Sequence, residues 1–344
     1  MKKITTVIFC SCLLILVGCQ SIQVAKDDSS NKANNASQAV YMIELRSSQK
    51  LYSNSVQLQK SFTALCQDVD SHDNLERARL SWHQTMLSWM ALQGQQIGPD
   101  QALEQSWKVQ FWPDKKNTTG RKITELLKQH RTWTQADIAD QSVAAQGLGA
   151  MEWILFDSPS TITSDEPLCQ LGQAISQNLA SKTKLIEQAW LDNPWRQLDD
   201  KAWLADYVSL LSHQLDYTIK KLSLPVAKVG HPKPYFSESW RSQTSMQNIK
   251  ANVEAMDKLY RAGLEQRLRA NGDSRLADGI ASQFSSTIEL WPESPSLFQL
   301  LKSQKGYQTV LSQLNKLEQL RYLIQDEAAV KLGITIGFNA TDGD

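Results

Sequence analysis

The chain opens on an uncharged, largely apolar stretch over residues 4–17 and then turns polar until about residue 37. From about 40 to 68 apolar residues return at helical spacing, with Leu45, Leu51, Val56, Phe62 and Leu65 among them. A second stripe carries Leu75, Ala78, Trp82, Met86 and Trp89 at steps of three or four, and Gly94 with Gly98-Pro99 ends it. Residues 100–120 lose the period and read as a loop-rich insertion. Helical spacing resumes over about 121–130, 135–156, 167–192 and 197–222. It breaks again at Leu224-Pro225 and at Gly230-His231-Pro232-Lys233-Pro234, the strongest interruption in the chain. Beyond it helices are expected near 238–268, 273–289, 295–302 and 305–328. Residues 334–339 alternate like a short extended tail.

This pattern predicts an all-α protein of two consecutive helical bundles, 38–224 and 225–344, the first being the larger. No short repeat is visible, which argues against a solenoid. Composition agrees with helices: 15 glycines and 10 prolines are few for 344 residues. Hydrophobic (41%) and charged (21%) fractions are those of a folded chain. With 36 basic and 36 acidic residues, no overall positive charge points to nucleic acid.

The apolar run at the start follows Lys2 and Lys3 and is too short for a membrane span, so residues 1–18 read as a leader. It ends in Leu16-Val17-Gly18-Cys19, which resembles the lipobox read by bacterial lipoprotein signal peptidase. That resemblance implies cleavage before Cys19 and lipidation of Cys19 with palmitate-type acyl chains, a stable membrane anchor. An ordinary signal peptide with a chance cysteine is the other reading. Gln20 and Ser21 follow, with no Asp of the kind linked to inner-membrane retention, so an outer-membrane protein facing the periplasm is expected. Residues 19–37 would carry the lipid and then form a flexible tether. With Cys10 and Cys12 lost in the leader, Cys66 and Cys169 remain, either as one disulfide in an oxidising compartment or as two buried thiols.

Catalytic motifs are absent from the sequence: it has no Gly-x-Ser-x-Gly elbow, no P-loop and no dinucleotide fingerprint. The five histidines form neither a His-x-x-x-His pair nor a His-Glu-x-x-His motif. Within Gly147-Leu148-Gly149-Ala150-Met151-Glu152-Trp153, one carboxylate sits among apolar neighbours, where an unpaired charge is costly. Either Glu152 pairs with a basic group such as Arg79 or Arg241, or it joins distant carboxylates around a hard metal ion. Glu238 and Arg241 stand three apart at an expected helix start that Ser237 or Ser239 would cap. They read as a local ion pair, or Arg241 clamps an anionic ligand or the terminal Asp342 and Asp344. Trp82 and Trp89 share a helical face and read as core. Trp107 and Trp112 fall outside the period and are candidates to stack on a sugar or a porphyrin.

The 147–156 block resembles the signature of the imelysin-like family of bacterial envelope proteins, Gly-x-His-x-x-Glu, with Gly149 in place of the histidine. Four further segments resemble the family: Ala78-Arg79-Leu80-Ser81-Trp82 through Gly98-Pro99, Phe111-Trp112-Pro113-Asp114, Glu238-Ser239-Trp240-Arg241-Ser242, and residues 337–344. The resemblance implies a fold of two helical bundles, a link to iron acquisition and, in members with the histidine, a metal held by His and Glu. Here Gly149 removes half of that pair. Glu152, Arg241, Glu238 and Asp114 are the candidate ligand or metal-binding residues, with iron as the conceivable metal. The expected function is a non-catalytic binding or accessory protein for iron or haem in the envelope. The alternatives are a metal-dependent peptidase and a scaffold of an outer-membrane assembly.

Overall fold

No glycine or proline lies between residues 20 and 93, so long helices are favoured there, with one break at residues 68–71, where Ser71 caps the next helix. The computed structural model describes residues 23–335, apart from 158, 159, 161, 163 and 164. Its first helix, α1 (Gln23–Gln67), begins inside the segment expected as tether, because each added residue gains a hydrogen bond once the helix is nucleated. The segment expected as leader, Cys19 and residues 336–344 with Asp342 and Asp344 lie outside the described residues.

The other long helices are α2 (His72–Trp89), α3 (Thr118–Leu127), α4 (Gly147–Phe156) and α5 (Glu166–Trp190). They are followed by α6 (Asp200–Val226), α7 (Ser245–Ala262), α8 (Ser274–Glu289) and α9 (Gln304–Arg321). No strand is present among the described residues, and no helix there is long and apolar enough to cross a membrane. Ile334 and Thr335, expected as the start of an extended tail, follow the last helical turn without pairing. The insertion expected as loop contains two single-turn helices, Asp100–Leu103 and Ser106–Val109.

The first bundle packs α1 against α2 and α5, with α4 laid across α2 and α5. Phe62, Leu65, Trp82, Met86, Leu148, Ile154, Leu171 and Ile175 are all sealed in its core. Each such aliphatic burial contributes about 1.5–3 kcal/mol. The Trp82 indole N–H donates to the Leu148 carbonyl (3.0 Å), which ties α2 to α4. At the other end the Tyr41 hydroxyl donates to the Trp190 carbonyl (3.1 Å), tying α1 to α5. Cys66 and Cys169 are joined as a disulfide that links the end of α1 to the start of α5.

The second bundle is formed by α6, α7, α8 and α9. Here the structure departs from the reading of residues 38–224 as the first bundle. The Pro-rich break at 225–234 ends α6 but does not separate the bundles, since α6 packs chiefly on α7 and α9. Its Tyr207 hydroxyl donates to the Leu259 carbonyl and accepts from the Leu264 amide, which fixes α6 within the C-terminal group. The change of bundle falls at residues 191–199. Turn residues mark where a helix stops; the partner of its buried face decides which bundle owns it.

Candidate functional site

Two expected helices are interrupted, and the interruptions build the site. The 135–156 helix divides into Gln135–Ala139, a 3-10 turn at Val143–Ala145, and α4. The break spans residues 140–146, and α4 begins at Gly147, whose φ of 66° is a left-handed conformation that glycine adopts at little cost. A Cβ at Gly147 would collide with the carbonyl oxygens of Lys108 and Val109. At Gly149, two residues later, a Cβ would meet only the Phe111 carbonyl oxygen, at a comfortable 3.6 Å. We therefore expect Gly147→Ala to lose about 2–4 kcal/mol, from left-handed strain and overpacking together. Gly149→Ala should instead gain about 0.5–1 kcal/mol from helix propensity. Urea unfolding of the two variants separates the cases.

The 238–268 helix also starts late, at Ser245, and ends at Ala262. Residues 238–244 form turns, with Ser239 (φ 52°) and Gln243 (φ 61°) left-handed, so neither Ser237 nor Ser239 caps a helix. The cause is visible at Glu152. Its Oε1 accepts from the Arg241 amide (3.1 Å), the Ser242 amide (2.9 Å) and the Ser242 hydroxyl (3.0 Å). The buried carboxylate thus folds the 239–242 backbone around itself. Burial pushes the Glu152 carboxyl above its ordinary value, Arg241 and Ser242 offset part of that rise, and Glu238 adds to it.

The Glu238–Arg241 ion pair expected from spacing does not form. With its backbone held on Glu152, Arg241 directs its guanidinium to the Asp157 carboxylate and to Asn117 Oδ1 (2.6 Å). It also lies over the Trp240 ring, 4.4 Å from the centroid. Glu238 turns inward to Lys221, with Nζ and Oε2 2.6 Å apart and both side chains sealed from solvent. Glu238 Oε1 accepts from Gln93 (2.6 Å) and Gln110 (3.0 Å). Lys221 Nζ also donates to Gln93 Oε1 (2.8 Å) and Asn252 Oδ1 (2.7 Å). Burial pulls the Lys221 ammonium below its ordinary value, and Glu238 opposes that fall. This network joins the turn after α2, helices α6 and α7, and the insertion at the junction of the bundles.

The remaining candidates are placed just as definitely. Asp114 accepts from the Thr118 amide (2.6 Å) and the Thr119 amide (3.0 Å), bracing the start of α3. Of the two arginines considered for Glu152, Arg79 goes elsewhere, donating to the Leu155 carbonyl (2.9 Å). Trp112 is buried and donates to the Phe236 carbonyl (3.2 Å), so it presents no stacking face. Trp107 is exposed beside Phe111, whose ring centroid is 6.1 Å away.

Gly149, Glu152, Glu238, Asp114 and Arg241 do border one narrow cavity of about 30 Å³, lined also by Tyr235 and Trp240. It has room for one or two water molecules and none for a porphyrin. Nor does its donor set fit a metal ion. Three N–H and O–H donors hold one Glu152 oxygen, Glu238 is spent on Lys221, both Asp114 oxygens are taken, and a guanidinium adjoins the space. Among the described residues, no three His, Cys, Asp or Glu side chains gather where an ion could be held. Lys221, Gln93, Gln110 and Asp157 were missed in the sequence. Lys221 alone carried a signal there, as a lysine on a helical stripe with Trp203, Tyr207, Leu210 and Tyr217.

The family model for imelysin, a family named as peptidases, matches residues 45–324. An imelysin-like protein of known structure from Psychrobacter arcticum is 19% identical, with a TM-score of 0.73 over 90% of this chain and 98% of that one. A protein from Parabacteroides distasonis named as an iron-regulated protein A precursor is 13% identical, with a TM-score of 0.62 over 86% and 94%. At these identities the likeness is one of fold. No curated protein matches the chain.

Proposed function

The chain belongs to the imelysin family, and from this premise we propose that it is a non-catalytic binding or accessory protein linked to iron or haem acquisition. The carrying observation is the state of Glu152, whose carboxylate organises the 239–242 turn through three donors while Gly149 supplies no imidazole beside it. Activating water for peptide hydrolysis needs a metal or a free base, and the arrangement favours neither. The iron link draws on the iron-regulated name of one structural neighbour. A lipid anchor at Cys19, holding the protein at the outer membrane facing the periplasm, completes the proposal.

Titration of the purified protein with ferrous iron, ferric iron and haem, followed by tryptophan fluorescence, tests this reading. Saturable binding of one of the three is expected, and it should persist in Glu152→Gln. Failure of all three to bind removes the iron link. Chelator-sensitive cleavage of a peptide library, abolished by Glu152→Gln, would return the protein to the peptidases.

A further inference from the structure

Although the chain carries no net charge, its basic residues are not evenly spread. A cleft of about 720 Å³ opens between the insertion, the second half of α6, the loop after it and the end of α9. Lys115, Lys116, Lys220, Lys233 and Arg321 line it, against one carboxylate, Asp216. Three regions far apart in sequence therefore bring five cations to one concavity. Asp216 is engaged, accepting from Gln325 Nε2 (3.1 Å). Arg321 pairs with Glu318 along its own helix (2.5 Å). Among the described residues Lys115, Lys116, Lys220 and Lys233 make no ion pair, whereas Arg261, Arg267 and Arg269 in the same bundle all do.

The Lys233 side chain and the backbone leading into Lys115 are also held in place. The Lys233 amide donates to the Pro225 carbonyl (2.7 Å), and its ammonium stands 5.2 Å from the Phe236 ring centroid. Lys115 and Lys116 immediately follow Asp114, which is fixed by its two bonds to the start of α3. Ile219, Leu224 and Phe236 form apolar wall between the charges. Low-dielectric walls around like charges focus their field into the cleft and raise the local concentration of anions. Lysines act as separate point charges and not as a planar fork. Such a set suits a ligand whose negative charge is distributed over several oxygens, more than a single carboxylate.

We propose that this cleft is a binding site for a small polyanion, a molecule with several closely spaced phosphate or carboxylate groups. The site is distinct from the Glu152 cavity, with which it shares no lining residue.

Calorimetric titration at low ionic strength with inorganic tripolyphosphate, and in parallel with citrate, tests the proposal. One saturable site is expected for at least one of them, the tighter arm naming phosphate or carboxylate, and affinity should fall steeply as salt rises. The variant K115Q/K116Q/K220Q/K233Q should lose about tenfold or more, four exposed charge contacts each contributing a factor of about two. K50Q/K250Q, on another face, should bind as the parent does. Should the quadruple variant fold poorly, amine acetylation read by mass spectrometry gives an independent measure: tripolyphosphate or citrate should protect the four lysines in the parent protein. Absence of binding by both probes, unchanged affinity in a folded quadruple variant, or no protection would overturn the assignment. So would binding to phosphatidylglycerol vesicles without binding to either soluble probe.

Discussion

Replacing Lys221 by methionine should destabilise the protein by about 3–5 kcal/mol, the cost of leaving one member of a buried ion pair without its partner. Lys221 and Glu238 are both sealed from solvent, so water cannot take over the lost interaction. Gln93 and Gln110 still donate to Glu238 Oε1, but neutral amides do not cancel its charge. The carboxylate must then protonate or draw water into the bundle junction. Lys221→Met/Glu238→Gln should recover a large part of the loss, because the double variant buries no unpaired charge. Urea unfolding of the two single variants and the double variant closes the cycle. Near-additive losses would mean that the pair is not coupled as the geometry requires.

Loss of the Cys66–Cys169 bridge is the second large effect. The bond spans 103 residues of sequence, and closing a loop of about 100 residues removes about 4–5 kcal/mol of unfolded-state entropy in the chain-entropy account. It also lies where α1 and α5, the most extensively packed helix pair, reach one end of the first bundle. Cys66→Ser/Cys169→Ser should therefore unfold at a clearly lower urea concentration, and reducing agent should shift the parent toward the same midpoint. Because the bridge acts mainly on the unfolded chain, circular dichroism of the folded variant should be unchanged. An equal midpoint with and without the bridge would rule out that stabilising role.

These two predictions differ in how far they could be anticipated. Cys66 and Cys169 stand out in the sequence once the expected leader and Cys19 are set aside, and only their pairing is open there. Lys221 was visible as a lysine on an apolar stripe, but nothing nearby indicated its partner. Gln93 meets Glu238 across 145 residues of sequence, and Arg241 meets Glu152 across 89. Helical periodicity reports which face of a helix is buried, not what that face will touch. For the same reason the Glu238–Arg241 spacing misled: an exposed local ion pair is worth only a few tenths of a kcal/mol. A buried carboxylate with three donors outweighs that, and it bends the 239–242 backbone out of any helix.

The resemblance carried by residues 147–156 also changes its meaning. Gly147 and Gly149 look equivalent in the sequence, yet one is a left-handed residue against the Lys108 and Val109 carbonyls and the other an ordinary helical position where a Cβ would make one ordinary contact. Only the packing distinguishes them. By itself the sequence determined the all-helical class, the approximate extent of most helices and the family, because those follow from local period, propensity and motif. The tertiary structure alone decided that α6 belongs to the second bundle, that Glu152 shapes a turn and that five cations meet in one cleft. Each of these depends on groups distant in the chain, whose meeting is set by how whole helix faces pack.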